Sequence, residues 1–271
     1  MRMKIREVNY YVEDSKVGDE VLLLLHGFTG RNQNFFPLVE ELSHIRVIAL
    51  DMLGHGKSDS PAEPSRYEME EIVQDIIEIL NVLKIDKANV LGYSMGGRVA
   101  LSLAVLHPNR VAKLILESSS PGLETAEARD ARKAADVRLA KEILNDGIQA
   151  FVAKWENISL FSSQKRLSEE KRNQIRQQRL GNNPVGLANS LIGMGTGAQP
   201  SWWAALSELH MPVLLVCGEL DEKFCEIAKR MENSLPNAKM IEIKNAGHAI
   251  HVEQPRIFGK IVNEFLNETL F

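Results

Sequence analysis

Short aliphatic runs recur along the chain, separated by longer stretches in which apolar residues return every three or four positions. The runs at 21–25, 46–51, 88–91, 114–117, 212–217 and 240–243 are too short for helices and too continuous for half-exposed strands. They predict strands buried on both faces, as in a mostly parallel sheet flanked by helices. Upstream, residues 4–11 and a turn at Val17-Gly18-Asp19 predict antiparallel strands at one sheet edge. Helical periodicity fills the intervals. Ile72, Ile76, Ile79, Leu80 and Leu83 share one face, with Ser65-x-x-Glu68 as a capping box ahead of them. Residues 99–106 and 257–266 repeat the pattern.

The alternation lapses between 121 and 204. That segment carries charged amphipathic helix and then the glycine-rich Gly193-Met194-Gly195-Thr196-Gly197, and all three tryptophans (Trp155, Trp202, Trp203) lie in it. An insertion there would cover the C-terminal edge of the sheet, where open α/β folds bind ligands. The expected division is therefore an α/β core of residues 1–120 and 205–271 with a helical cap of residues 121–204. The glycine run is only superficially like a dinucleotide fingerprint, because no strand precedes it. The sequence offers no cofactor site.

Chemistry enters at Gly92-Tyr93-Ser94-Met95-Gly96, between the strand 88–91 and a helix expected to begin near Gly97. In a strand–turn–helix setting, G-x-S-x-G is the nucleophile elbow of the α/β-hydrolase fold. It exposes a serine hydroxyl at a helix N-terminus, where backbone N–H groups favour developing negative charge. Such a serine needs a base, and the base needs an orienting carboxylate, in the chain order Ser, Asp or Glu, His. Asp221 and His248 follow the last two buried strands and so fall at the same sheet edge as Ser94. Among the seven histidines, His107 and His210 read as surface residues, His44 as a helix-end residue and His55 as a loop residue. His251 is the rival base and Glu219 the rival acid. His248-x-x-His251 also invites a metal, but no third ligand has convincing spacing, so no metal site is expected. His26-Gly27-Phe28 ends the first buried strand, with Gly27 allowing a sharp turn, and the N–H groups of Phe28 and Met95 are the expected oxyanion hole. His26 itself reads as a structural residue.

Composition narrows the partners. The net charge of −4 gives no basic excess for nucleic acid. Residues 1–6 lack a secretory apolar run, and the aliphatic run at 21–25 is far too short to span a bilayer. Cys217 and Cys225 are the only cysteines and read as two buried thiols, which fits a cytoplasmic enzyme. Nothing in the sequence speaks to oligomeric state.

A closer resemblance rests on Gly92-Tyr93-Ser94-Met95-Gly96-Gly97-Arg98, Glu117-Ser118-Ser119-Ser120-Pro121-Gly122-Leu123 and Ile175-Arg176-Gln177-Gln178-Arg179-Leu180. It is carried further by Gly195-Thr196-Gly197 and Gly218-Glu219-Leu220-Asp221-Glu222-Lys223-Phe224. Together they resemble the 2-succinyl-6-hydroxy-2,4-cyclohexadiene-1-carboxylate synthases of menaquinone biosynthesis, nearly end to end. The resemblance implies a lyase that eliminates pyruvate from a small tricarboxylate. It also implies substrate contacts by Arg132 and Arg179, with Trp155 and Tyr93 lining the pocket. Arg98, one helical turn after Ser94, would supply further positive charge. On this reading Ser94, deprotonated by His248, acts as a base. An ester or carbon–carbon hydrolase on the same triad, and a ligand receptor without activity, are the alternatives.

Overall fold

The computed structural model describes residues 1–267, so the last four residues of the expected core segment lie outside the described residues. The chain opens with β1 (Arg2–Ile5) and β2 (Val8–Asp14), then runs through β3 (Val21–Leu25) and a short helix α1 (Phe36–Val39) to β4 (Arg46–Asp51). It continues as α2 (Met69–Val82), β5 (Ala88–Tyr93), α3 (Met95–Leu106) and β6 (Val111–Glu117). Three α-helices follow before the next strand: α4 (Ala126–Trp155), α5 (Glu169–Leu180) and α6 (Pro184–Met194). Alternation then resumes with β7 (Val213–Gly218), α7 (Glu222–Ser234), β8 (Ala238–Ile243), α8 (Ile250–Glu253) and α9 (Pro255–Leu266).

All eight strands join one sheet in the order β1-β2-β4-β3-β5-β6-β7-β8. Every pairing from β4 to β8 is parallel; β1 with β2 and β2 with β4 are antiparallel. The aliphatic runs are continuous because both faces are covered. In β3, Leu23 and Leu25 enter the core with Ile72, Ile76 and Val99, while Leu22 and Leu24 enter the opposite core with Phe258 and Val262.

Three local expectations are corrected. The edge hairpin turns at Arg6-Glu7, both at positive φ (44° and 71°), as a two-residue connection does, and not at Val17-Gly18-Asp19. Gly18 (φ 96°) belongs to the crossover into β3, where a Cβ would stand 2.2 Å from the His44 carbonyl. No capping box forms at Ser65. Pro64–Tyr67 make a separate 3-10 turn, tied down by the buried Tyr67, whose hydroxyl donates to the Pro61 carbonyl at 2.9 Å, and α2 starts only at Met69. Likewise α3 starts at Met95 instead of near Gly97, because Ser94 is itself the N-cap residue.

The helices between β6 and β7 have their own small core of Ala140, Ile143, Phe151, Leu187 and Leu191. Thr125, Ser168 and Asn183 cap α4, α5 and α6 through their side-chain oxygens. Gly147 (φ 80°, ψ 169°) breaks α4 in two. The Gly195–Gly197 stretch is a packing device: a Cβ at Gly197 would lie 2.4 Å from the Lys133 backbone nitrogen on α4. Among the described residues, no helix is long and apolar enough to cross a membrane. Cys217 and Cys225 are buried free thiols.

Two histidines are buried at the end of β3 and the loop after β4, their rings 5.2 Å apart. His26 donates from Nδ1 to the Gly27 carbonyl at 2.8 Å and accepts the Met52 N–H on Nε2 at 2.9 Å, so its bonding requires the neutral ring. Burial pulls the pKa of His26 down to about 4 and that of His55 to about 3. In the unfolded chain both titrate near ~6.5. As pH falls below that value the unfolded state takes up protons that the folded state refuses, so stability drops between pH ~6.5 and pH ~4 and is unaffected by these groups above it. Thermal unfolding followed from pH 8 to pH 4 should show that decline. His55→Gln, which does not titrate, should flatten its slope; an unaltered slope would remove His55 from the account.

Candidate active site

The turn from β5 into α3 is set by close backbone approach. A Cβ at Gly92 would lie 2.3 Å from the Gly96 carbonyl, and one at Gly96 would lie 2.1 Å from the Leu25 carbonyl on β3. Only glycine fits at either position. Ser94 is forced to φ 50° and ψ −107°, a strained conformation for a residue with a Cβ. Its N–H donates to the Glu117 carbonyl at 2.8 Å, so the end of β6 holds the turn in place.

His248 lies on the loop between β8 and α8, and Asp221 on the loop between β7 and α7. His248 Nδ1 donates to Asp221 Oδ2 at 2.5 Å, which leaves Nε2 as the acceptor facing Ser94 Oγ at 3.0 Å. Both partners are buried, at 2% and 8% exposure, so the pair is shielded from water. Glu219, the rival acid, points elsewhere and accepts the Asn245 N–H at 2.8 Å. His251, the rival base, is bonded to Glu117. His248 and His251 are thus engaged by different carboxylates and do not converge as metal ligands. Cys217, Cys225 and Glu242 do bring their ligand atoms within 4.8 Å of one another, where β7 ends and α7 begins.

Ser94 and His248 open onto a cavity of ≈ 310 Å³ that Phe28 and Met95 also line. This places the two residues expected to stabilise an oxyanion beside the serine. Gly27 differs from its expected use. Its φ is not positive; a Cβ there would strike the Tyr93 ring at 2.6 Å, and the positive φ of the loop falls on Thr29 (66°). Phe28 stands edge-on to Trp155 (5.3 Å) and joins the sheet to the aromatic lining from α4.

Arg98 and Arg132 line this cavity, as do Tyr93 and Trp155. The Arg98 guanidinium is buried, and its hydrogen-bond partners are the neutral oxygens of Met194 (2.6 Å) and Gln199 (3.2 Å). Burial, with a smaller push from Arg132, lowers its pKa to about 10, which leaves it charged at neutral pH. Arg132 is half-exposed and braced by Asp136 at 2.8 Å. Arg179 is not brought into the Ser94 cavity. It lies against Phe161, 4.6 Å from the ring centroid, with Gln164 Oε1 at 3.4 Å, and lines two neighbouring cavities that share Phe161 as a wall. Burial lowers the pKa of this guanidinium too.

Sequence reasoning assigned no role to Phe161, Lys223, Phe224 or the serines 118–120, all of which line the cavity. Phe224 packs on the His248 imidazole at 4.7 Å. Lys223 and Phe224 had a usable signal, since they lie two and three residues after Asp221 in the first turn of α7. Phe161 had none: it sits on an irregular 3-10 stretch, Ser159–Arg166, whose course only packing determines.

The α/β hydrolase fold family model matches residues 20–255. A Bacillus subtilis (strain 168) protein provisionally named 2-succinyl-6-hydroxy-2,4-cyclohexadiene-1-carboxylate synthase is 52% identical over 260 residues, which cover 96% of this chain and 95% of that protein. A synthase of the same name from Enterobacter sp. (strain 638) is 31% identical over 93% of each chain. The solved structure of MenH from S. aureus superposes with a TM-score of 0.91 at 38% identity, covering 96% of this chain and 98% of that one.

The elbow geometry carries its own test. Ser94→Gly removes the strained Cβ, and relief of about 1 kcal/mol should outweigh the added freedom of the unfolded chain. Chemical denaturation should therefore give a midpoint equal to or above that of the parent. A clearly lower midpoint would mean that Ser94 is not strained.

Proposed function

Since the chain belongs to the 2-succinyl-6-hydroxy-2,4-cyclohexadiene-1-carboxylate synthase family of α/β-hydrolase-fold proteins, we propose that Ser94, His248 and Asp221 carry out its reaction by proton abstraction. The protein is a lyase of menaquinone biosynthesis, eliminating pyruvate from 2-succinyl-5-enolpyruvyl-6-hydroxy-3-cyclohexene-1-carboxylate. The observation that carries the substrate assignment is the buried Arg98 cation, one turn from Ser94, bonded only to neutral oxygens. A buried charge without a directly bonded carboxylate is costly even with Asp136 nearby, and a carboxylate of the substrate offsets that cost. A simple ester would leave Arg98 unmatched.

In this reading the helical segment 121–204 is a cap that closes the site from water and contributes Arg132 and Trp155. His248 takes the Ser94 proton. The serine oxygen then removes the ring hydrogen at the carbon bearing the succinyl group, and the electrons first rest on the succinyl carbonyl oxygen, held by the Phe28 and Met95 N–H groups. They return through the ring, shifting its double bond and breaking the ring carbon–oxygen bond to the enolpyruvyl group. The departing enolate is protonated and becomes pyruvate. Asp221 keeps the imidazole oriented and balances its charge while the proton resides there. Arg98 and Arg132 hold carboxylates directly; Arg179, behind Phe161, acts on the third from a greater distance. A cytoplasmic setting suits the two reduced thiols.

Ser94→Ala should keep its fold and lose pyruvate release by on the order of a thousandfold, as should His248→Ala. Near-normal release by Ser94→Ala would end the triad reading. Arg98→Ala and Arg132→Ala should each lower kcat/KM by about a hundredfold, with Arg179→Ala milder because its side chain stands outside the Ser94 cavity. Equal losses at all three positions would show that Phe161 moves aside on binding. If Ser94 is a base, quenched-flow mass spectrometry should find no substrate-derived adduct on it. A stoichiometric adduct would replace proton abstraction with nucleophilic attack even with pyruvate as product.

A further inference from the structure

His251 lies one turn beyond His248 and has no place in the proton-transfer line, yet it is 1% exposed and bonded to a fully buried carboxylate. Glu117 accepts the His251 backbone N–H at 3.0 Å and the ring Nδ1–H at 2.9 Å. The main-chain oxygen of the same Glu117 accepts the Ser94 N–H at 2.8 Å. Glu117 is the register partner of Tyr93, and the Tyr93 ring packs against both histidines, at 4.6 Å from His251 and 5.4 Å from His248. A single residue is thus bonded to Ser94 through its carbonyl and to His251, in the turn after His248, through its carboxylate.

We propose that Glu117 and His251 form a positioning pair that sets the separation between Ser94 Oγ and His248 Nε2, an inference that rests on the triad reading above. The helix that follows His248 has only four residues, too few to hold its own place against the sheet. Apolar contacts alone would let it slide. Bonds to a backbone N–H and to a ring nitrogen from one carboxylate fix it in both translation and rotation. Buried polar pairs contribute little net stability against a well-packed apolar alternative, and their best-attested use is to specify register. Neither Glu117 nor His251 lines the Ser94 cavity, so loss of the pair should act on turnover and not on substrate binding.

Glu117→Ala and His251→Ala should each lower kcat by about 10- to 100-fold, the scale of an ångström of misplacement, with KM within about twofold. The double variant should be no worse than the more severe single one, since either change dissolves the same pair. Glu117→Gln can still accept the backbone N–H and donate to the ring of the other tautomer, and should recover to within about fivefold of the parent. The rate at which a fluorophosphonate labels Ser94 should fall in parallel with kcat, a readout independent of the natural substrate. Folded variants with unchanged kcat and labelling, or with effects confined to KM, would overturn the proposal. Should Glu117→Ala fail to fold, His251→Ala and Glu117→Gln decide it by the same criteria. Failure of the triad reading looks different: Ser94→Ala would then remain active whatever the Glu117 variants do.

Discussion

Where β5 gives way to α3, strand and helix meet with almost no atoms between them, and the rest of the site is arranged around that contact. Gly92 and Gly96 allow the approach, the neighbouring β3 carbonyl sits where a Cβ would otherwise be, and Ser94 is left at a positive φ with its hydroxyl out of the sheet. Strain of this kind persists only when the surroundings over-determine it. Here they do so through fixed strand ends: β6 receives the Ser94 N–H, β7 leads into Asp221, and β8 leads into His248. A parallel sheet puts all these ends at one edge, so residues far apart in the chain meet without any long loop.

The electrostatics of that edge are divided. On one side, carboxylates pair with histidines: Asp221 with His248, which we propose carries the chemistry, and Glu117 with His251, which we propose sets its position. On the substrate side, Arg98 and Arg179 are buried with only neutral oxygens or an aromatic ring as partners. Buried cations without a directly bonded carboxylate are tolerable where an anionic ligand completes them, and in the function proposed above they distinguish this site from that of an esterase with the same triad. Hydrolysis and elimination then share the serine, the base and the oxyanion donors, while the shape and charge of the cavity decide which bond is presented to them.

The strands and the core helices were legible because burial on both faces leaves an unmistakable aliphatic run and because 3.6-residue periodicity survives in α2, α3 and α9. Ser94, Asp221 and His248 were legible because the elbow has a steric signature and strand ends follow in a known order. The hairpin turn was misplaced since Arg6-Glu7 is not a turn-favouring pair by composition, and tertiary pairing with β4 imposed it. Arg179 was grouped with Arg98 and Arg132 by resemblance, yet Phe161 separates its cavity from theirs, a matter of side-chain packing with no trace in residue spacing.

What the amino-acid sequence determined by itself is the set of local rules: which segments must be buried, where the chain must bend without a Cβ, and which residue types can move a proton at a strand end. What only the tertiary structure decided is which of several chemically equivalent groups meet. Asp221 and Glu219 are two residues apart, and His248 and His251 three, and each is competent in isolation. The register of β7 against β6 and of β8 against β7 turned one imidazole towards Ser94 and one acid towards that imidazole, and locked the others into Asn245 and Glu117. Local sequence cannot encode that choice, because hydrogen bonding depends on tenths of an ångström in position, and those are set by the packed sheet as a whole.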